Sequence, residues 1–206
     1  LGLGAVGVRK QGDPTPVPSA DKFHIGSCAK AMTATLTAAV IETSDLNWDS
    51  TVGDVLKRKM RDIHDDYLEV TVEQLLSHEG GLPGDPPPLI WLKAWQNQEK
   101  LTPTKQRFEF AEALLETAPA YAPASKSEYS NQGYAVLGVM LEEVTGKSWE
   151  ELMQERLFEP LGMESAGFRA PCTGDELDQP LGHEGKKPVL PGEKDDNPSA
   201  IAPAGA

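Results

Sequence analysis

The hydrophobic pattern changes near Ser27, and the change predicts where strands end and helices begin. Residues 3–9 alternate small and β-branched side chains, which is typical of a strand, and a turn follows at residues 11–14. A second short strand is predicted over residues 22–25. From Ser27 onwards the apolar positions recur at helical spacing, which predicts a buried helix rich in alanine and threonine.

The middle of the chain is predicted to be mainly helical. Capping boxes at Thr71 with Gln74 and at Ser148 with Glu151 each predict the start of a helix. Pro103 after Thr102 predicts another start, and a glycine at the end of residues 131–146 predicts the end of a further helix. Beyond Gly162 the chain is rich in glycine, proline and charge, so only short strands or loops are expected there. We therefore predict one α/β domain of the α+β kind. Residues 1–26 and about 163–206 would belong to a sheet, and residues 27–162 would form the helical part.

Composition and charge limit the possible partners. The chain has 206 residues, of which 39% are hydrophobic and 25% charged, and this suits one globular domain. Its net charge of −13 would repel a phosphate backbone, so no nucleic-acid partner is expected. No apolar stretch is long enough to span a bilayer. Cys28 and Cys172 are too few for a disulfide framework or a zinc site. We expect no metal and no cofactor, and the oligomeric state stays open.

Ser27 and Lys30 form the first pair with chemical meaning. They are three positions apart at a predicted helix start, so they lie on one face. A serine hydroxyl needs a base to become a nucleophile, and a lysine can be that base when burial and the helix N-terminus favour its neutral form. A helix cap with a solvated lysine is the simpler interpretation of S-x-x-K alone, because chance makes the pattern common. Cys28 is predicted to be a small core residue.

A second polar group, Tyr129-Ser130-Asn131, directly precedes a strongly apolar helix. A tyrosine hydroxyl can carry a proton between a serine, a lysine and a leaving group, and an asparagine amide offers a donor and an acceptor. The simpler interpretation is a helix cap beside a packed tyrosine. A Ser-His-Asp triad assembled from the four scattered histidines has little support. Trp91 and Trp95 fit simple packing better than the wall of a cleft.

Four segments resemble, in order, the landmarks of the serine β-lactamase and penicillin-binding-protein superfamily. The nearest branch contains class C β-lactamases, D-alanyl-D-alanine carboxypeptidases and family VIII esterases. The segments are residues 23–30 (FHIGSCAK), 75–83 (LLSHEGGLP), 129–134 (YSNQGY) and 159–163 (EPLGM). No single segment is specific, but four in order make coincidence improbable. The resemblance implies a β-lactamase/transpeptidase-like fold, whose antiparallel sheet, incomplete here, carries an all-helical subdomain.

The resemblance also implies a reaction. Ser27 would attack a carbonyl and form an acyl-enzyme, and Lys30 and Tyr129 would share the proton transfers. Asn131 would orient the substrate, the amide of Ser27 would supply half of an oxyanion hole, and water would hydrolyse the ester. The substrate would be a small molecule or peptide with an amide, β-lactam or ester bond. A β-lactam sensor without turnover, or an inactive relative, is the alternative.

The family's third element, K-T-G or a variant such as H-x-G, has no plausible match after Asn131. Residues 173–174 lack a preceding lysine, and residues 182–185 come too early. We therefore expect that both ends of the chain are cut, and that this stretch alone turns over substrate poorly. A periplasmic or secreted location is implied by the resemblance.

Overall fold

The structure is a computed structural model, and it describes residues 2–98, 100–173, 176–190 and 197–205. This part of the chain contains helices and one two-stranded antiparallel sheet. In chain order the elements are α1 (Ala29–Ile41), α2 (Val52–Leu56), α3 (Asp65–Leu68), α4 (Val72–Leu76), α5 (Pro88–Asn97), α6 (Pro103–Leu115), α7 (Asn131–Thr145), α8 (Trp149–Met153), β1 (Gly182–Glu184) and β2 (Lys187–Val189), with 3₁₀ turns at Gly26–Cys28 and Ser199–Ile201 and a π-helical turn at Gln154–Phe158. The predicted combination of helices with antiparallel strands is confirmed.

Side-chain caps begin the helices at the predicted places. The hydroxyl of Thr71 accepts from the amide of Gln74, whose side chain accepts from the amide of Thr71 in return. Ser148 and Glu151 make the same reciprocal pair before α8. Thr102 caps α6, which begins with a proline. Each cap satisfies backbone donors that a helix start leaves free, and such a cap is worth about 1 kcal/mol.

Helix α7 is the centre of the core. Every residue from Gln132 to Glu142 is buried, so this stretch of the helix has no solvent face. Helices α1, α2, α4, α6 and α8 pack around it. Burial of each large apolar side chain contributes about 1.5–3 kcal/mol, so this cluster is the main source of stability for the helical part.

Gly138 allows two neighbours to approach the middle of α7. A Cβ atom there would lie 2.7 Å from Cγ of Pro203 and 2.9 Å from Cδ of Arg107. We expect Gly138→Ala to lower the free energy of unfolding by about 1–3 kcal/mol, because overpacking outweighs the helix propensity that alanine gains, which is about 1 kcal/mol. Urea denaturation measures the loss.

The matched control for this substitution is Gly167→Ala. No heavy atom lies within 4 Å of a Cβ built at Gly167. We therefore expect the urea denaturation midpoint of the Gly167→Ala variant to stay near that of the wild type. Equal stability of the Gly138 variant and the control would contradict the tight packing of α7 against Pro203.

The predicted strands over residues 3–9 and 22–25 are wrong. Val8 forms only an isolated bridge with Pro16, and residues 22–25 have no strand geometry. Alternating side chains suit a pleated surface, but a strand also needs a ladder partner, and no such ladder reaches these residues within the described part of the chain. The predicted turn at residues 11–14 does form, since the amide of Arg9 donates to the carbonyl of Thr15 across it.

The strands that do form lie late in the chain. β1 pairs with β2 in an antiparallel hairpin, with Gly182 opposite Val189 and Glu184 opposite Lys187. The amide of Gln11 donates to Nε2 of His183 over 3.1 Å, which joins the hairpin to the first turn. The described helices do not include one that is long and apolar enough to cross a membrane.

The division into sheet-associated and helical parts stays a prediction. Its last part contains residues 174–175, 191–196 and 206, which lie outside the described residues. Gly174, which belongs to the Thr173-Gly174 pair that was rejected as the third family element, is one of these residues. Residue 1, in the first part, also lies outside the described residues.

Candidate active site

Ser27 lies in the 3₁₀ turn that leads directly into α1. Gly26, just before it, has a φ of +51°, a left-handed conformation that glycine adopts without a steric penalty. This bend leaves Ser27 exposed at the N-terminus of a helix of 13 residues. The positive end of the helix dipole favours negative charge on the serine oxygen. The prediction that Cys28 is a core residue is wrong, because its side chain is exposed beside Ser27.

Lys30 is buried, as predicted, with 6% of its surface exposed. Its Nζ donates to Oδ1 of Asn131 over 2.6 Å and to the carbonyl oxygen of Ala204 over 2.7 Å, and it lies 3.4 Å from Oγ of Ser27. These three neighbours of Nζ come from α7, the segment after the last 3₁₀ turn and the 3₁₀ turn before α1. The amine is therefore held on three sides, with Ser27 on the side that faces solvent.

Tyr129 completes the contacts of Ser27. Its hydroxyl donates to Oγ of Ser27 over 2.7 Å, and Nζ of Lys30 lies 4.6 Å from the centre of its ring. Half of the residue, 52%, is exposed. The four predicted site residues, Ser27, Lys30, Tyr129 and Asn131, thus lie together, and their chemical roles stay predictions.

The two tyrosines beside Lys30 are in opposite electrostatic situations. Burial raises the pKa of Tyr129, but hydrogen bonds with Lys30 and Ser27 and the charge of Lys30 outweigh it, so the pKa is lower than the ordinary value. Burial raises the pKa of Tyr134, and the Tyr134 hydroxyl donates to the carbonyl of Leu76. Only Tyr129 therefore combines contact with Ser27 and a hydroxyl that loses its proton more readily.

The loop after α4, residues 77–84, holds the Tyr129-Ser130-Asn131 segment in place. The amide of Ser130 donates to Nδ1 of His78 over 3.2 Å, and the hydroxyl of Ser130 donates to the carbonyl of Pro83 over 2.7 Å. Gln132, at the start of α7, donates to the same carbonyl. Two of the four segments that carry the family resemblance thus contact each other directly.

The segment that ends the described chain forms the other side of the site. The hydroxyl of Thr33 donates to the carbonyl of Pro203, next to the Ala204 carbonyl that accepts from Lys30. Sequence analysis missed Ala204, because a backbone carbonyl has no side-chain signature. It also missed His78 as a contact of Ser130, although the L-L-S-H-E-G-G-L-P segment already stood out.

The two tryptophans singled out in the sequence pack against aromatic neighbours. Trp91 packs edge-on against Trp95 and Phe110, so the interpretation of simple packing is confirmed. Within the described residues, no three histidine, cysteine or acidic side chains lie close enough together to share a metal ion.

Comparisons with known proteins identify the family of the chain. The family model described as Beta-lactamase matches residues 2–206. Penicillin-binding protein 4 of Amycolatopsis lactamdurans is 32% identical over 159 residues, which are 77% of this chain and 39% of that protein. A putative D-alanyl-D-alanine carboxypeptidase of Escherichia coli K12 is 32% identical over 105 residues, which are 50% of this chain and 23% of that protein.

Solved structures show the same fold. The β-lactamase/D-alanine carboxypeptidase from Pseudomonas syringae superposes with a TM-score of 0.67 at 25% identity, over 97% of this chain and 51% of that one. The predicted β-lactamase/transpeptidase-like fold is thereby confirmed. The chain spans about two fifths of the length of the Amycolatopsis relative. With a family match over nearly all of its residues, the chain belongs to the beta-lactamase family.

Proposed function

We propose that the protein is a serine hydrolase that acts on an amide, β-lactam or ester bond through an acyl-enzyme on Ser27. The observation that carries this proposal is the contact of Oγ of Ser27 with both Nζ of Lys30 and the hydroxyl of Tyr129. A serine in this position has a base and a proton carrier within reach, which is what nucleophilic catalysis by a hydroxyl requires. The penicillin-binding and carboxypeptidase relatives support the same class of reaction.

The contacts of Lys30 suit it to act as the base. A neutral amine has two N–H groups and one lone pair. The side-chain oxygen of Asn131 and the carbonyl of Ala204 are the two short contacts and take the two N–H groups. In the neutral form of Lys30 the lone pair is directed at the remaining neighbour, the hydroxyl of Ser27, to which the charged form donates a third hydrogen bond.

The proposed reaction proceeds in two steps. Oγ of Ser27 bonds to the substrate carbonyl carbon while its proton passes to Nζ of Lys30. Tyr129, in contact with both groups, gives its hydroxyl proton to the leaving atom as the amide or ester bond breaks, and takes up the proton that Lys30 received from Ser27. Water then attacks the acyl-enzyme, and Ser27 regains its proton. The amide of Ser27 would donate to the carbonyl oxygen as negative charge develops there.

We expect Ser27→Ala to abolish covalent labelling of the whole protein by a fluorophosphonate and by a fluorescent penicillin. The variant removes the only atom that forms the acyl bond, so no adduct remains at that position. Intact-protein mass spectrometry with peptide mapping measures the adduct.

The matched control is Cys28→Ala, because the exposed Cys28 thiol is the adjacent nucleophile and would appear in the same peptide. This variant should be labelled like the wild type. Labelling that persists in Ser27→Ala and disappears in Cys28→Ala would overturn the assignment.

Turnover separates the enzyme from the alternative, a β-lactam sensor. An enzyme hydrolyses nitrocefin, a p-nitrophenyl ester or a D-alanyl-D-alanine peptide continuously. A sensor gives one burst of about one equivalent and then stops, because its acyl-enzyme is not hydrolysed. The intact set of Ser27, Lys30, Tyr129 and Asn131 contacts argues against an inactive relative, and the time course decides between an enzyme and a sensor.

A further inference from the structure

His78 has a strained backbone at the edge of the site. Its φ is +64°, in the left-handed region that only a few per cent of residues other than glycine adopt, with asparagine, aspartate and histidine the most frequent among them. Two bonds hold it there, since its carbonyl accepts from the amide of Glu128 over 2.9 Å and from the hydroxyl of Tyr121 over 2.9 Å. Strain of this kind persists only where the surroundings enforce it, and it concentrates at functional sites.

The side chain of His78 contacts Tyr129, Ser130 and Tyr134. Its ring centre lies 4.8 Å from that of Tyr129 and 5.4 Å from that of Tyr134. Its Nδ1 accepts the amide proton of Ser130 over 3.2 Å. An accepting nitrogen carries no proton, so this bond requires the neutral imidazole with its hydrogen on Nε2.

Among the charged and titratable groups near His78, Lys30 is the one whose charge opposes a positive charge on the ring. Lys30 faces it from α1, Tyr134 from α7 and Tyr129 from the segment before α7, while Tyr121 contacts its carbonyl. Burial and the charge of Lys30 lower the pKa of His78 below its ordinary value. The neutral form therefore predominates at neutral pH, and a proton binds only under acidic conditions.

We propose that His78 is a positioning residue whose neutral ring sets Tyr129 and Asn131 for acylation, and that a proton taken up from water at Nδ1 releases them. This inference rests on the proposed function. Protonated Nδ1 is a donor facing the donor of Ser130, so the hydrogen bond is replaced by repulsion. Ser130 lies between Tyr129 and Asn131, and its displacement moves the proton carrier of Ser27 and the acceptor of Lys30 together.

The test compares the pH dependence of kcat/KM in the wild type and in His78→Asn. Asparagine tolerates the left-handed backbone, and its Oδ1 can accept from Ser130, but it does not titrate. In the wild type, log kcat/KM should steepen from a slope of one to a slope of two at acidic pH, because the base that activates Ser27 and His78 each take up a proton. The asparagine variant should keep a slope of one. Its kcat/KM at neutral pH should stay within about a hundredfold of the wild type, since loss of a general acid or base typically costs about 10²–10⁴-fold.

Two further variants complete the design. His78→Ala removes the acceptor, so its kcat/KM at neutral pH should fall below that of the asparagine variant. His64→Asn is the control, because His64 caps α3 and asparagine also caps well, so its pH profile should match the wild type. Circular dichroism at each pH verifies that all variants remain folded.

A readout that does not need activity separates this inference from the proposed function. In protein labelled with ¹⁵N-histidine, NMR should show His78 with a proton on Nε2 and a bare Nδ1 at neutral pH. A proton on Nδ1, or a slope of two that persists in the asparagine variant, overturns the role of His78. Failure of every variant and of the wild type to be labelled at Ser27 overturns the proposed function instead.

Discussion

Replacing Lys30 with arginine is expected to abolish acylation of Ser27. The amine of Lys30 contacts Oγ of Ser27 while its two short hydrogen bonds go to Asn131 and Ala204. A guanidinium stays protonated at any useful pH and has no lone pair for the serine proton. The loss should reach about 10²–10⁴-fold in the acylation rate, the range for general-base catalysis. Stopped-flow mixing with nitrocefin measures the acylation phase.

Two controls separate chemistry from packing in this experiment. Lys105→Arg, at an exposed position of α6, should acylate like the wild type. Lys30→Met keeps the length of the side chain without a charge, and it should lose acylation as the arginine variant does. A near-normal rate in either Lys30 variant would exclude Lys30 as the base and transfer that role to Tyr129, whose lowered pKa and 2.7 Å contact with Ser27 already suit it.

The parts of the site that are close in sequence could be predicted from the residues alone. Ser27 and Lys30 are three positions apart, and the geometry of a helix start brings them together. Asn131 lies 101 positions from Lys30, and no periodicity links them. The family resemblance supplied that connection, and it did so because the segment around Asn131 keeps a recognisable order of residues. The carbonyl of Ala204 could not be predicted, since every residue has one.

The wrong predictions have a common physical cause, which is that local pattern does not include the surroundings. Residues 3–9 have the alternation of a strand, but pairing needs a second strand at the right distance and register. Cys28 was placed in the core on the assumption of an α-helix from Ser27 onwards. The structure has a 3₁₀ turn at Gly26–Cys28, and within the described residues the side chain of Cys28 is exposed.

Arg107 was also invisible to pattern analysis, and its replacement should produce the largest loss of stability. Its side chain is 0% exposed, and it donates to both carboxylate oxygens of Glu150, over 2.8 and 2.9 Å. It also donates to the carbonyl of Ser199 over 3.3 Å and lies 3.3 Å from Oε1 of Glu142. We expect Arg107→Ala to lower the free energy of unfolding by about 3–5 kcal/mol, because it leaves buried carboxylates without their cation.

The loss of unfolding free energy in Arg107→Ala should depend on pH, and the direction of this dependence follows from the pKa of Glu142. Burial raises the pKa of Glu142, while the positive charge of Arg107 opposes that rise. Without Arg107 the pKa rises further, so the native state of the variant binds a proton there more readily. Stability that depends on a raised carboxyl pKa is present at low pH and is lost as the pH increases through that pKa. Urea denaturation should therefore show a larger deficit at pH 8 than at pH 5.

The controls for Arg107 distinguish an unpaired charge from a simple cavity. Arg61→Ala, at an exposed position, should change the free energy of unfolding by about 0.5 kcal/mol or less. Glu142→Gln removes the charge but keeps the oxygen that accepts from the amide of Trp149. If unpaired charge causes the loss, the double variant of Arg107→Ala and Glu142→Gln is destabilised by less than the sum of the two single variants. Additive losses, equal at pH 5 and pH 8, would instead assign Arg107 a packing role, since a cavity does not titrate.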